Sequence, residues 1–261
     1  MILSQYQGEI MSLFDAVTFK HPVLRVNNRD SNIDFYEKTL GFKLVSEENA
    51  IAIFSAWENQ DNSFIIEESP SMRTRAVEGT KKLGKIIVKT SKASDIEGLL
   101  ANDIATQTIF KGKKGYAFEA SSPEGHLFLL HAEDSVDDLV PVDKPHFDSN
   151  KDFKGLSDFT FETIILNVPN QKAAQNFYKD NFEDSFPIQL QFIESEGKDL
   201  AVEPTDTWDL EILECQVPMS YDLKSLKDYF ESKGLSVYLD NKEKVLVISD
   251  PSKIEIWFLK K

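Results

Sequence analysis

The chain repeats itself, and an internal repeat constrains a fold more than any composition does. Moved by 142 positions, residues 18 to 36 land on 160 to 178 without a gap. Thr18 falls on Thr160, Phe19 on Phe161, Leu24 on Leu166, Val26 on Val168, Asn28 on Asn170, Phe35 on Phe177 and Tyr36 on Tyr178. The repeated stretch reads as a strand that runs into a helix. Asp30 is a plausible N-cap, Ile33, Tyr36 and Leu40 form one apolar face at helical spacing, and Gly41 sits where a left-handed residue ends a helix.

Short strands are expected next at 42–48, 50–57 and 63–68. The pattern then restarts, with a strand at 85–90, a helix at about 94–101 and strands at 109–113, 117–121 and 127–131. In the second half the strands fall at 159–168, 188–194 and 200–203, then at 209–217, 237–239, 245–249 and 254–259. Asn170 caps one helix. Leu223, Leu226 and Phe230 face another, which Gly234 ends. The sum is four βαβββ-like modules, the third one strand short. Residues 133–157 carry an excess of Asp and Glu and are interrupted by Pro141 and Pro145. They read as an acidic, solvated linker between domains at 1–132 and 158–261.

Composition narrows function by exclusion. A formal charge of −15 opposes nonspecific binding to nucleic acid or anionic lipid. The single cysteine, Cys215, leaves no disulfide within the chain. No run approaches the roughly 18 apolar residues of a membrane span, and the N-terminus lacks the basic start and apolar core of a signal peptide. Met11 offers an alternative start. The expected location is the cytoplasm, with the cell surface or a non-classical secretion route as the alternative. The 41% of hydrophobic residues, 19 Phe among them, is enough for a packed core.

The segments "HPVLRV", "FYEKTLGF" and "SPEGHLFLL" resemble the vicinal oxygen chelate superfamily, which includes glyoxalase I and the extradiol dioxygenases. The resemblance covers 19 to 131 well and 158 to 261 loosely. It implies an α+β fold in which paired βαβββ modules curl into cups, with a divalent metal inside. The whole chain, including the acidic linker, "DLEILECQVP" and "KIEIWFLKK", also resembles the CppA family of streptococci. Members of that family carry the name of proteinases that degrade the third component of complement.

The resemblance implies three or four metal ligands, and the chain supplies few of them. The first position is His21, whose repeat partner is Thr163. The second is Glu67 or Glu68. The third is Lys85, whose ammonium repels a cation, and the fourth is Leu129, or Trp257 in the second half. The chain is therefore expected to hold no metal or other cofactor. His21, Glu67, Lys85 and His131 are the candidate pocket residues. The alternative for His131 is the exposed end of an edge strand. Arg73, Arg75, Lys81 and Lys82, with Lys85 beside them, are a candidate anion-binding rim, against the alternative of a solvated loop. The three tryptophans read as core rather than as ligand platforms. No H-E-x-x-H, G-x-S-x-G or aspartic-protease motif occurs, and Cys215 lies in a strand context. No catalytic residue is assigned. A triad assembled from distant residues stays open, because geometry defines it. The leading reading is a metal-free member of this fold that binds a small molecule, a peptide or a protein partner. The alternatives are a proteinase acting on a host complement protein and a metal-dependent lyase or dioxygenase.

Overall fold

The computed structural model describes residues 12–61, 63–148 and 150–261, so Met11 lies outside the described residues. The first module is β1 (Thr18–Val26), α1 (Arg29–Lys38), β2 (Lys43–Glu48), β3 (Ile51–Ser55) and β4 (Ser63–Glu68). The second is β5 (Leu83–Lys89), α2 (Ala93–Ala101), β6 (Thr108–Lys111), β7 (Tyr116–Ser121) and β8 (Leu127–His131). A 3-10 turn (Val136–Asp138) and β9 (Val140–Val142) follow. The third module is β10 (Thr160–Val168), α3 (Gln171–Phe182) and β11 (Gln189–Glu194). The fourth is β12 (Leu210–Val217), α4 (Leu223–Ser232), β13 (Tyr238–Leu239), β14 (Val245–Ser249) and β15 (Glu255–Lys260).

The repeat holds to the residue. β1 and β10 span positions 142 apart, and α1 and α3 begin 142 apart. The cap is Asn28 rather than Asp30. Its side chain accepts from the Ser31 N–H, as Asn170 accepts from Ala173, while Asp30 sits in the first turn. The third module lacks two strands, not one. β11 pairs in parallel with β10 as β4 does with β1, so it corresponds to β4, and nothing stands for β2 and β3. The strand expected at 200–203 is a run of turns.

The modules pair crosswise. One sheet has the order β13-β14-β15-β12-β1-β4-β3-β2 and joins modules one and four. The other, β11-β10-β5-β8-β7-β6-β9, joins modules two and three. Each sheet thus draws on both halves of the chain. At the two seams β1 pairs with β12 and β10 with β5, antiparallel, with register shifts at equivalent places. The offset from β5 to β12 is 127: Ile87 lies across from Thr163, and Glu214 across from His21. One apolar core ties the sheets together. Tyr36 on α1, Phe64 on β4 and Phe128 on β8 meet there, with ring centroids 4.6 to 6.1 Å apart.

The stretch 133–157 is more than a solvated spacer. Glu133 is buried and its carboxylate accepts N–H groups from Lys113, Lys114 and Gly115. β9 extends the second sheet along β6. At the far end Leu156 is buried and donates its N–H to Gly41 O. The backbones meet so closely here that a Cβ on Gly155 would lie 2.3 Å from that same oxygen, and Gly155 also has φ +143°.

Candidate functional site

Strand alternation sends Pro22, Leu24 and Val26 into the core and His21, Val23 and Arg25 onto the opposite, outer face of the first sheet. Ser63, Ile65 and Glu67 join them from β4, Ile212 and Glu214 from β12, and Glu255 and Trp257 from β15. The bulge between Ile212 and Leu210 brings Glu211 to the same face beside Arg25.

Two polar groupings result. The first is a line across three strands. Ser63 Oγ is 2.7 Å from His21 Nδ1, and His21 Nε2 is 3.3 Å from Glu214 Oε2. The second contact is too poorly aligned for a hydrogen bond, and Nε2 is left without one. Burial pushes the Glu214 pKa up, but His21 and Lys261 outweigh it and the net direction is down. The second grouping is Arg25 between Glu211, in close contact, and Glu67, at 3.5 Å. Burial pushes Glu211 up to about 7 despite Arg25, and the charges of Glu67 and Glu255 push the same way.

The equivalent face of the second sheet is different in kind. The positions level with one another are Gln189, Thr163, Ile87 and Leu129. Ile87, Ala117 and Leu129 form an apolar patch, on which Val136 and Leu139 of the linker pack together with Phe110 and Ile165. The linker therefore plugs this cup.

The four residues read as one pocket are divided between the sheets. His21 and Glu67 lie on β1 and β4 of the first, Lys85 and His131 on β5 and β8 of the second. Crosswise pairing separates them, so a joint site of His21, Glu67 and His131 does not form. Lys85 pairs with Glu119. His131 is fully buried in an inner strand, not at an exposed edge, and its Nε2 is 3.1 Å from Glu162. Burial lowers its pKa.

The basic cluster is largely engaged within the chain: Arg73 and Arg75 are exposed, Lys81 is half-buried and Lys82 is buried. Arg75 makes a bidentate pair with Asp199, at 2.6 and 2.8 Å, and its hydrogen bonds hold that carboxyl down to about 2. Lys81 donates to Trp208 O at 2.9 Å, and buried Lys82 donates to Val202 O at 2.5 Å. Burial lowers both lysine pKa values. These groups latch the 199–209 segment, which the sequence had no way to place beside them. Among the described residues, exposed Arg73 makes no side-chain hydrogen bond or ion pair.

The residues at the metal positions do not fit a divalent ion. Level with His21 stand Ser63, Glu214 and Trp257, not Glu67 or Lys85. That is two good ligands, one of them bonded to Ser63, while the indole N–H of Trp257 donates to Glu255. At the equivalent positions of the second sheet, Gln189, Thr163, Ile87 and Leu129, there is no imidazole or carboxylate. Among the described residues no group of three or more His, Cys, Asp or Glu is placed to hold an ion. Cys215 is fully buried, and burial pushes its thiol pKa up, which suits packing and not attack.

Sequence reasoning missed Ser63, Arg25, Glu211 and Glu214. Alternation alone places Arg25 on the face of His21. Glu214 comes into view only once β12 is known to be the neighbour of β1. Elsewhere, a groove of about 1160 Å3 runs between α3 and β11 past Tyr178, Phe186 and Phe192. In the first module β2 and β3 fill the corresponding place. No helix among the described residues is long and apolar enough to cross a membrane.

Comparison with known proteins agrees with this geometry. The family model described as CppA N-terminal matches residues 19–142, and CppA C-terminal matches 156–258. The crystal structure of the cppA protein from Streptococcus pneumoniae TIGR4 is 36% identical, with a TM-score of 0.81, over 95% of this chain and 99% of that one. Glyoxalase I from Zea mays is 12% identical, with a TM-score of 0.57, over 94% and 92%. A candidate dioxygenase from Bacillus subtilis is 12% identical, with a TM-score of 0.60, over 93% and 84%. At such identities the last two show the fold alone. A search of curated proteins returned no match.

Proposed function

The chain belongs to the CppA family, and from that premise we propose that it is a binding protein on a glyoxalase-like fold, working without metal through the cup of the first sheet. The observation that carries this is the contrast between the cups. One is plugged by its own chain. The other keeps buried polar atoms of His21, Arg25 and Glu211 without hydrogen-bond partners, an arrangement that costs about 1–3 kcal/mol per atom unless something satisfies it. A small molecule or a peptide is the ligand class that suits a cup with apolar walls at Val23, Ile65 and Ile212 and a polar floor. Titration of peptides against the indole N–H resonance of Trp257 tests it. Saturable shifts are expected in the native protein and not in His21→Ala or Arg25→Met. Elemental analysis after dialysis tests the metal. About one equivalent per chain, lost in His21→Ala, would restore the metal-dependent lyase or dioxygenase reading.

A second reading, proteolysis of a host complement protein, is favoured by one observation. Ser63, His21 and Glu214 stand in the order hydroxyl, imidazole, carboxylate, which is the order of a nucleophile, its base and the group that orients the base. The purified protein is incubated with the third complement component, and fragments are followed by gel. Cleavage that survives chelators and disappears in Ser63→Ala supports this reading. Intact substrate removes it.

A further inference from the structure

We propose that the cup of the first sheet reads the free amino terminus of a peptide, with the α-ammonium held by Glu211, Glu67 and Glu255 and the first carbonyl held by Arg25. This rests on the reading of that cup as a binding site. Arg25 Nη2 donates to Glu211 Oε1 and lies 3.5 Å from Glu67 Oε1. Both Arg25 and Glu211 are more than nine-tenths buried, at 7% and 6% exposed. Even so, Nε of Arg25 and Oε2 of Glu211 have no partner. One orphan donor therefore stands beside one orphan acceptor. A ligand that satisfies both presents an acceptor to Nε and a donor to Oε2.

Charge chooses among such ligands. Three carboxylates stand on this face against one guanidinium: Glu211 touches Arg25, Glu67 lies 3.5 Å from it, and Glu255 projects from β15 at the position across from Ile212. The donor is then a cation, and a carboxylate ligand meets repulsion. A neutral amide satisfies the hydrogen bonds and leaves the charge uncompensated. An ammonium two bonds from a carbonyl carbon, with one carbon between them, supplies both, and that is the amino terminus of a peptide. Its first side chain rests on Val23, Ile65 and Ile212, with the Trp257 ring beside them. Glu67, whose side chain is one-third exposed, swings off Arg25 to admit the carbonyl and closes on the ammonium.

The test is an NMR titration of the full chain with phenylalaninamide, N-acetylphenylalaninamide and 3-phenylpropanamide, read at the Arg25 Nε–H and the Trp257 indole. Phenylalaninamide is expected to shift both signals to saturation. The acetylated and deaminated probes are expected to bind about tenfold more weakly or worse, as is phenylalaninamide to Glu211→Gln. A cooperative melt of Glu211→Gln no lower than that of the native protein shows that the fold is kept, and Glu67→Gln serves as the second variant. Equal binding of the acetylated probe overturns the amino-terminus assignment and leaves the cup a binding site. Full affinity in both glutamine variants also overturns the assignment. No shift with any of the three probes overturns this inference and the binding reading together.

Discussion

The two cups are built on the same frame and filled in opposite ways. Superposed through the repeat, His21 corresponds to Thr163, Arg25 to Asn167, Glu211 to Gly84, Glu214 to Ile87 and Trp257 to Leu129. Even backbone contacts recur. The Arg25 N–H donates to Asp209 O and the Asn167 N–H to Lys82 O, at 2.9 and 2.8 Å. The frame therefore does not decide whether a cup is polar. Five outward-facing side chains do, and they are free to differ because they do not hold the core. The apolar cup needs a cover and receives one from the linker. The polar cup keeps its orphaned atoms.

The largest way to strain the comparison lies beneath the cups, in the paired tyrosines. Tyr36 is fully buried against Phe42, Phe54, Phe64 and Phe128, while Tyr178 borders the groove left by the two missing strands. Tyr36→Ala is expected to cost about 3–5 kcal/mol and Tyr178→Ala about half of that. Urea unfolding of the two variants measures both, and equal losses would mean that the missing strands leave no packing deficit.

Next comes the pH dependence that only the polar cup contributes. Glu211 titrates near 4.5 in the unfolded chain and about 7 in the folded one. Below pH 4.5 both states are protonated and the group adds nothing to the pH dependence. As pH rises through this window the unfolded chain gives up its proton first, so stability falls, by about 3 kcal/mol above pH 7. Glu211→Gln is expected to flatten that part of the stability–pH curve. An unaltered slope would place the titration elsewhere.

A smaller effect sharpens the plug. Leu139→Asp puts a charge on the apolar patch of Ile87 and Leu129. It is expected to cost about 1–2 kcal/mol, because Leu139 is only half-buried. Limited proteolysis within 133–142 should quicken at the same time. The smallest test asks whether the frame itself is equivalent. Asn28→Ala and Asn170→Ala remove matching caps and are expected to cost about 1 kcal/mol each. A clear inequality would show that one helix leans more on its cap than its partner does.

Much of the frame is legible in the residues. The ungapped repeat, the Asn170 cap and Gly41, with φ +71°, are local signals, and each sits where the sequence places it, whereas the first helix is capped by Asn28, two residues before the expected Asp30. The strand expected at 200–203 fails because its apolar residues serve a turn region latched by Arg75 and Lys82. Such a latch depends on contacts more than a hundred residues distant. The candidate site fares worse for the same reason. His21 and Glu67 were visible as face residues. Lys85 stands at a ligand position that the resemblance implies and His131 just beyond another, but they lie on β5 and β8 of the second sheet.

By itself, then, the sequence determined the outline of the modules: where most strands and helices lie, which face of a strand meets the core, and that the pattern occurs again 142 residues on. These follow from the period of alternation and from capping chemistry, which act over a few residues. Tertiary structure alone decided which modules share a sheet, and with that which side chains share a cup. β1 could close its ladder equally well on β5 or on β12, since backbone hydrogen bonds are the same for any strand. In the fold, modules one and two meet across the core through Tyr36, Phe64 and Phe128, while the ladder of β1 closes on β12. That pairing brought Glu214 to His21 and left Lys85 on the other side of the molecule's core.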